Sequence, residues 1–241
     1  MAHVRKISGL RTSKVSRYVN AAGLELLAGL VILTGSAWVF GAVAEDVVEG
    51  DTHVDTRLAN WLHDHASPGW TSFFERVTWL GNVPVLVSVT ATAAAVLAWK
   101  RSRMELLLLI LAVVGAEILT VGLKLGFHRE RPFFSDPLAS ESSYSFPSGH
   151  ASVSLAVYGT IAFIAARQLS NVRARLALLV AAAILIMLIG ISRLYLGVHF
   201  LTDVIAGFSL GLAWVTLCVL LLHLGVRLRK RDQTSRYPAS M

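Results

Sequence analysis

Several things are scarce in this 241-residue chain. There is a single cysteine, Cys218, so no intramolecular disulfide can form, and its place inside an apolar run reads as packing. Charged residues make up only 15% against 55% apolar, and the mean hydropathy is +0.62. That balance excludes an ordinary soluble domain and puts the chain in the membrane class. No internal repeat, low-complexity tract or linker interrupts it, so residues 1–241 read as one domain. Acidic side chains are the scarcer charge, 15 against 22 Lys and Arg, for a net +7.

What is abundant is apolar sequence in runs of spanning length. They lie near 23–44, 83–99, 104–124, 151–166, 176–191 and 204–226. Each approaches the roughly 20 residues that cross about 30 Å of hydrocarbon. The expected fold is all-α, a six-span transmembrane bundle, with its second and fourth spans short enough to need tilt or interfacial flanks. The first run could instead be a signal peptide cleaved after Ala42-Val43-Ala44. It exceeds the about 7–15 apolar residues of such signals, and its basic leader is long, so it reads as a retained span.

The positive charge is distributed by topology. Five Lys or Arg lie in the leader 1–22, three at 100–103, three at 167–175 and five in the tail 227–241. With both termini cytoplasmic, 16 of the 22 fall inside, as the positive-inside rule requires. The excess charge therefore implies a bilayer partner and no nucleic acid, and the expected location is the cytoplasmic membrane. Nothing in the sequence indicates an oligomeric state.

The outside segment 45–82 is too polar to span. Val54, Leu58 and Leu62, then Trp70, Phe73, Phe74 and Val77, recur at helical spacing. Two short interfacial helices are expected, with Trp61, Trp70 and Trp79 at headgroup depth. They could serve as a lateral rim for a lipid or as a packed cap over the bundle.

The chemistry gathers in two outside loops. The first holds Lys124-x6-Arg131-Pro132, then Pro147-Ser148-Gly149-His150; the second holds Ser192-Arg193-x5-His199-x3-Asp203. Cations at the edge of a span are costly enough that function is their default reading. Lys124 offers a point charge, and Arg131 a planar fork that matches phosphate oxygens. Because Arg131 precedes a proline, its backbone is biased to an extended turn, which lets the chain fold back on Lys124. Ser148 and Gly149 sit where a helix begins, and they can offer a hydroxyl and backbone N–H groups to an anion. His150 at that mouth can protonate a leaving oxygen. His199 and Asp203, four apart, share a helix face. An Asp that accepts one imidazole N–H leaves the other nitrogen free to attack.

These three segments resemble the three-part signature of the type 2 phosphatidic acid phosphatase superfamily. That group includes membrane lipid phosphatases, soluble bacterial acid phosphatases and vanadium haloperoxidases. All three parts match in order and spacing between residues 124 and 203, and the six-span layout extends the similarity over nearly the whole chain. The resemblance implies that His199 is a nucleophile forming a phosphohistidine and that Asp203 orients it. It implies that His150 protonates the departing group and later activates water. Lys124, Arg131, Ser148, Gly149 and Arg193 would hold the phosphoryl oxygens.

No cofactor and no metal is expected. Three cations and a helix start can position and neutralise a phosphoryl group. The outside carboxylates Glu130, Asp136 and Glu141 read as solvated loop charge, and His63-Asp64-His65 is a weak match to a ligand set. Glu117 lies within the third span, seven residues before Lys124 and about 10 Å deeper. It could tune the site through a polar partner or be a protonated group bonded to a neighbouring helix. The expected activity is hydrolysis of a lipid phosphate or diphosphate on the outer side of the membrane. Phosphatidylglycerol phosphate, phosphatidic acid and undecaprenyl diphosphate all qualify, and the compact six-span form favours an envelope lipid. The rival readings are a catalytically silent lipid-binding or transport protein and, less consistent with six spans, a haloperoxidase.

Overall fold

The structure is a computed structural model that describes residues 2–50 and 53–236, with side chains described for 23–50 and 53–225. The side chains of the basic leader and tail lie outside that set. The described chain is all-helical: α1 (Ala2–Glu49), α2 (His53–Asp64), α3 (Pro68–Trp79), α4 (Val83–Trp99) and α5 (Arg103–Phe127) come first. A long loop then leads to α6 (Gly149–Ser154), a π turn (Leu155–Gly159) and α7 (Thr160–Gln168), which run on as one 20-residue rod. α8 (Val172–Tyr195) and α9 (Leu201–Arg236) complete the bundle.

Five segments are long and apolar enough to cross a membrane alone: 23–49 of α1, α5, the α6–α7 rod, α8 and 201–225 of α9. α4 has the bounds of the expected second span, 83–99, and its 17 residues reach about 26 Å at 1.5 Å each, at the short end of spanning length, as expected. It bends by 42° from α3 at Leu80–Asn82. The bend falls where Pro84 opens α4: proline suits the first turn of a helix but cannot donate into a preceding one.

The outward faces of the spans stay apolar, with Val114, Ile118, Leu176 and Ile184 all exposed, as a lipid solvent allows. The interior forms around α5, the rod and α9. Leu108, Leu109, Ile164 and Cys218 pack in one cluster, and Leu86, Val153 and Val157 in another. Close approach at the end that carries Ser148 depends on two glycines of α9, four residues apart. A Cβ on Gly207 would lie 2.5 Å from the Ser148 carbonyl oxygen, and one on Gly211 would lie 2.8 Å from that of Ser152. Both contacts are to backbone, so no side chain could yield. Small residues at this spacing let membrane helices touch backbone to backbone, here seating the start of α6 against α9.

α2 and α3 form the packed cap. Phe74 is buried against Tyr195, Leu196 and Val198, while Trp61, Trp70 and Trp79 are exposed. The inward stripe of α2 differs from the apolar one expected. Val54 points outward at 61% exposure, and the buried positions are Asp55 and Ala59. The sequence pattern assumed that the inner face is apolar, whereas this helix turns a carboxylate inward.

Candidate active site

The predicted residues converge at one end of the bundle. α5 carries Lys124 in its last turn and closes at His128, whose left-handed backbone (φ 51°) lets its N–H reach the Lys124 carbonyl at 3.1 Å. The returning loop brings Ser143 and Tyr144 back over this end. Lys124 Nζ donates to the Tyr144 carbonyl. Arg131 donates from Nε to the Ser143 carbonyl at 2.7 Å and from Nη2 to the same Tyr144 carbonyl at 3.3 Å. Two cations thus share one carbonyl, as the fold-back before Pro132 implied.

His199 lies in the short α8–α9 link and is 2% exposed. Arg131 Nη1 sits 3.1 Å from its Nε2 and also donates to the Val198 carbonyl at 2.6 Å. A guanidinium has only donors, so Nε2 must accept and keeps its lone pair. The ring proton is then on Nδ1, which lies 3.2 Å from Asp203 Oδ2. Burial lowers the His199 pKa to about 4, opposed by the Asp203 bond and charge and aided by Arg131 and Arg193. The ring is therefore neutral near pH 7, with its bare nitrogen facing the cations. Burial also lowers the pKa of Arg131, against Glu141 and Asp203, but a guanidinium stays charged at any physiological pH.

Asp203 is wholly buried and saturated with donors. Its Oδ2 accepts the Phe200 N–H at 2.8 Å and the Ser145 hydroxyl, beside His199. Its Oδ1 accepts Arg129 Nη1 at 2.5 Å. The backbone carbonyl of Asp203 takes the Ser148 N–H at 2.9 Å, locking the start of α6 to the start of α9. That leaves the Ser148 hydroxyl fully buried with no partner among the described residues. A buried orphan hydroxyl is costly. Gly149 follows it and is next to Lys124, whose Cε lies 4.0 Å from where a Gly149 Cβ would be.

His150 stands opposite. Its Nε2 lies 2.9 Å from Asn82 Oδ1, at the start of α4. Gly81 lets this wall close in, since a Cβ there would lie 2.8 Å from the His150 ring. Arg193, 3% exposed near the end of α8, donates to Thr78 Oγ1 at 2.7 Å and to Glu141 Oε1 at 2.5 Å. The expectation that Glu141 is a solvated loop charge is corrected here: it pairs with a buried arginine. Asp136 pairs with His63 at 3.1 Å, and the His63 ring stacks on Phe134 at 4.1 Å, so His63 is engaged in packing. Among the described residues no cluster of three or more His, Cys, Asp or Glu could hold a metal ion.

Lys124, Arg131, Ser148, Gly149, His150, Arg193, His199 and Asp203 are thus brought to one end. Glu117 is not. It is exposed on α5, with no side-chain hydrogen bond or ion pair among the described residues.

The sequence reading missed a supporting network. Arg129 bridges two buried carboxylates: Nη1 to Asp203, and Nη2 to Asp55 Oδ2 at 2.7 Å. Asp55 in turn accepts the Thr202 N–H at 3.0 Å and the Thr202 hydroxyl. This is why α2 turns a carboxylate inward: Asp55 secures the first turn of α9, on which Asp203 sits. The available signal was Arg129 itself, a cation two residues before Arg131 in a loop with few.

Cations arranged around a neutral, oriented imidazole are equipment for phosphoryl transfer, here mounted on a bundle of membrane spans. The protein is a multi-pass membrane phosphatase. It belongs to the PAP2 superfamily, whose model matches residues 105–226. Phosphatidylglycerophosphatase B of Bacillus subtilis (strain 168) is 39% identical over 137 residues, 56% of this chain and 67% of that one. The crystal structure of a transmembrane PAP2 type phosphatidylglycerolphosphate phosphatase from Bacillus subtilis superposes with a TM-score of 0.68 at 30% identity. That alignment covers 79% of this chain and 93% of the other. LpxE of Aquifex aeolicus superposes with a TM-score of 0.53 at 27% identity, over 68% and 94% of the two chains. Membership together with these relatives supports hydrolysis of a lipid phosphate.

Proposed function

We propose that the enzyme cleaves its lipid phosphate in two steps through His199. Nε2 attacks phosphorus as the bond to the lipid oxygen breaks, and His150 delivers a proton to that oxygen. Water then attacks the phosphohistidine, giving its proton to His150 and releasing phosphate. Lys124, Arg131 and Arg193 hold the non-bridging oxygens with the Ser148 hydroxyl and the N–H of Gly149. Asp203 keeps the proton on Nδ1 and stabilises the ring as it becomes cationic. The observation that carries this reading is the pair of contacts on one imidazole, Arg131 on Nε2 and Asp203 on Nδ1.

The catalytic region runs from 124 to 203, with Asp55, Thr78 and Asn82 supporting it from earlier in the chain. The charge distribution supports a cytoplasmic membrane with both termini inside and the site outside. The names of the Bacillus relatives favour phosphatidylglycerol phosphate as the substrate over phosphatidic acid and undecaprenyl diphosphate. A competition assay with all three on one purified preparation tests this, and a higher kcat/KM on either rival would overturn it. Phosphate release should continue in EDTA and fall on the order of 10⁴-fold or more in His199→Ala. Turnover that survives the substitution would reject the histidine mechanism.

A further inference from the structure

The opposite end of the bundle holds a second site. A cavity of about 820 Å³ opens between α1, the rod, α8 and α9, within the range of about 300–1,000 Å³ typical of ligand pockets. Its walls are apolar, among them Ile32, Leu155, Phe163, Leu179 and Ile186. Its polar groups gather at one end: Arg167, Arg175, His223 and Glu25. Arg167 is 18 residues along the rod from Gly149, or about 27 Å at 1.5 Å per residue. That is nearly the hydrocarbon thickness, so the cavity opens in the leaflet opposite the active site.

The two guanidinium groups are anchored at one edge only. Arg175 Nε donates to the Leu169 carbonyl at 2.6 Å, which fixes its base and leaves its terminal nitrogens for a ligand. Arg167 lies over the Phe163 ring at 5.7 Å, with Nη1 3.4 Å from His223 Nε2. Neither pairs with a carboxylate among the described residues. Among the described residues Glu25 is the one acid on this rim, and Glu105 lines a neighbouring pocket with Arg167 and His223. The rim therefore favours an anion, and the walls favour a hydrocarbon chain. α1 packs chiefly along α9, so an occupant would also join α1 to α8.

We propose that this cavity binds one anionic phospholipid of the leaflet opposite the active site. Its phosphate lies on Arg167 and Arg175, and an acyl chain lies between α1 and α8. The site stands apart from the chemistry at the other end, and the inference does not depend on the phosphohistidine reading.

The test is thermal unfolding of the full-length protein in a neutral detergent, with phosphatidylglycerol or phosphatidylcholine added. Phosphatidylglycerol should raise Tm by roughly 5 °C in wild type, and phosphatidylcholine by much less. Arg167→Gln with Arg175→Gln should abolish that rise, and so should Ala183→Trp, which fills the cavity if the double variant folds poorly. Both should keep wild-type turnover on a short-chain soluble phosphate. Lys124→Gln, at the active site, should keep the rise. Equal stabilisation by the two lipids would overturn the proposal. So would a rise lost in Lys124→Gln but kept in the cavity variants, which would place the lipid at the active site.

Discussion

The two ends of this bundle use the same residue types in opposite ways. At the catalytic end, the guanidinium groups are held from two sides: Arg129 by Asp55 and Asp203, and Arg193 by Thr78 and Glu141. At the other end, Arg167 and Arg175 are exposed, each with one polar contact among the described residues. The difference teaches what burial does to charge. A buried guanidinium is costly unless it is paired, so the catalytic end is built as a network, and its members fix one another's geometry. An exposed rim can wait for a ligand from the bilayer.

The largest effect that sharpens this contrast should come from Arg129, which touches neither His199 nor His150. Arg129→Ala leaves Asp55 and Asp203 facing each other without their shared cation, and breaking a buried pair in this way costs about 3–5 kcal/mol. We expect kcat to fall at least 10²-fold with little change in KM, together with a lower Tm. Removing a cation near Asp203 should also favour the protonated form of His199, so the acid limb of kcat/KM should move to higher pH. Arg175→Gln, an equal change of charge at the far end, should leave kcat unaltered. Equal losses from both substitutions would break the comparison.

A smaller effect concerns pH. In the proposed mechanism attack requires neutral His199, whose pKa is about 4, below the ordinary value of about 6.5. The sign is that of a depressed base: the active form persists as pH falls and is lost only through the lowered value. The acid limb that His199 sets on kcat/KM should therefore lie near pH 4, falling about tenfold per unit below it. A limb near pH 6.5 would mean that the imidazole is not desolvated as the structure shows.

The smallest expected effect is at Glu141. If Arg193 holds phosphoryl oxygens as proposed, the Glu141 carboxylate competes with them, so Glu141→Gln should bind inorganic phosphate a few-fold more tightly, measured as Ki, with kcat changed little. Weaker phosphate binding would instead make Glu141 a support for Arg193.

Much of the catalytic end was legible in the sequence, because Lys124, Arg131, Ser148, Gly149, His150, Arg193, His199 and Asp203 fall in short motifs whose internal spacing carries their geometry. Their partners were not. Asp55 and Arg129 are 74 residues apart, and Asn82 and His150 are 68 apart. Each, read alone, resembles any polar residue of an outside loop. Periodicity then misassigned the inner face of α2, because a pattern that looks for apolar stripes passes over a buried aspartate that has found its cation. The spans themselves followed from hydropathy. α4, at 17 residues, is the shortest of them, as the run 83–99 implied. Glu117 attracted notice for its depth, but depth along the helix does not show which way a side chain faces, and this one faces outward.

The most direct test of the account is to trap the phosphorylated enzyme. Wild-type protein mixed with substrate labelled on the transferred phosphate and quenched within the first turnover should carry acid-labile, base-stable label on a single peptide containing His199. That label should vanish in His199→Ala and, with a substrate whose leaving group needs no proton, accumulate in a His150 variant, in which water attacks slowly. Label on another residue, or turnover with no trapped intermediate in either protein, would contradict the central claim.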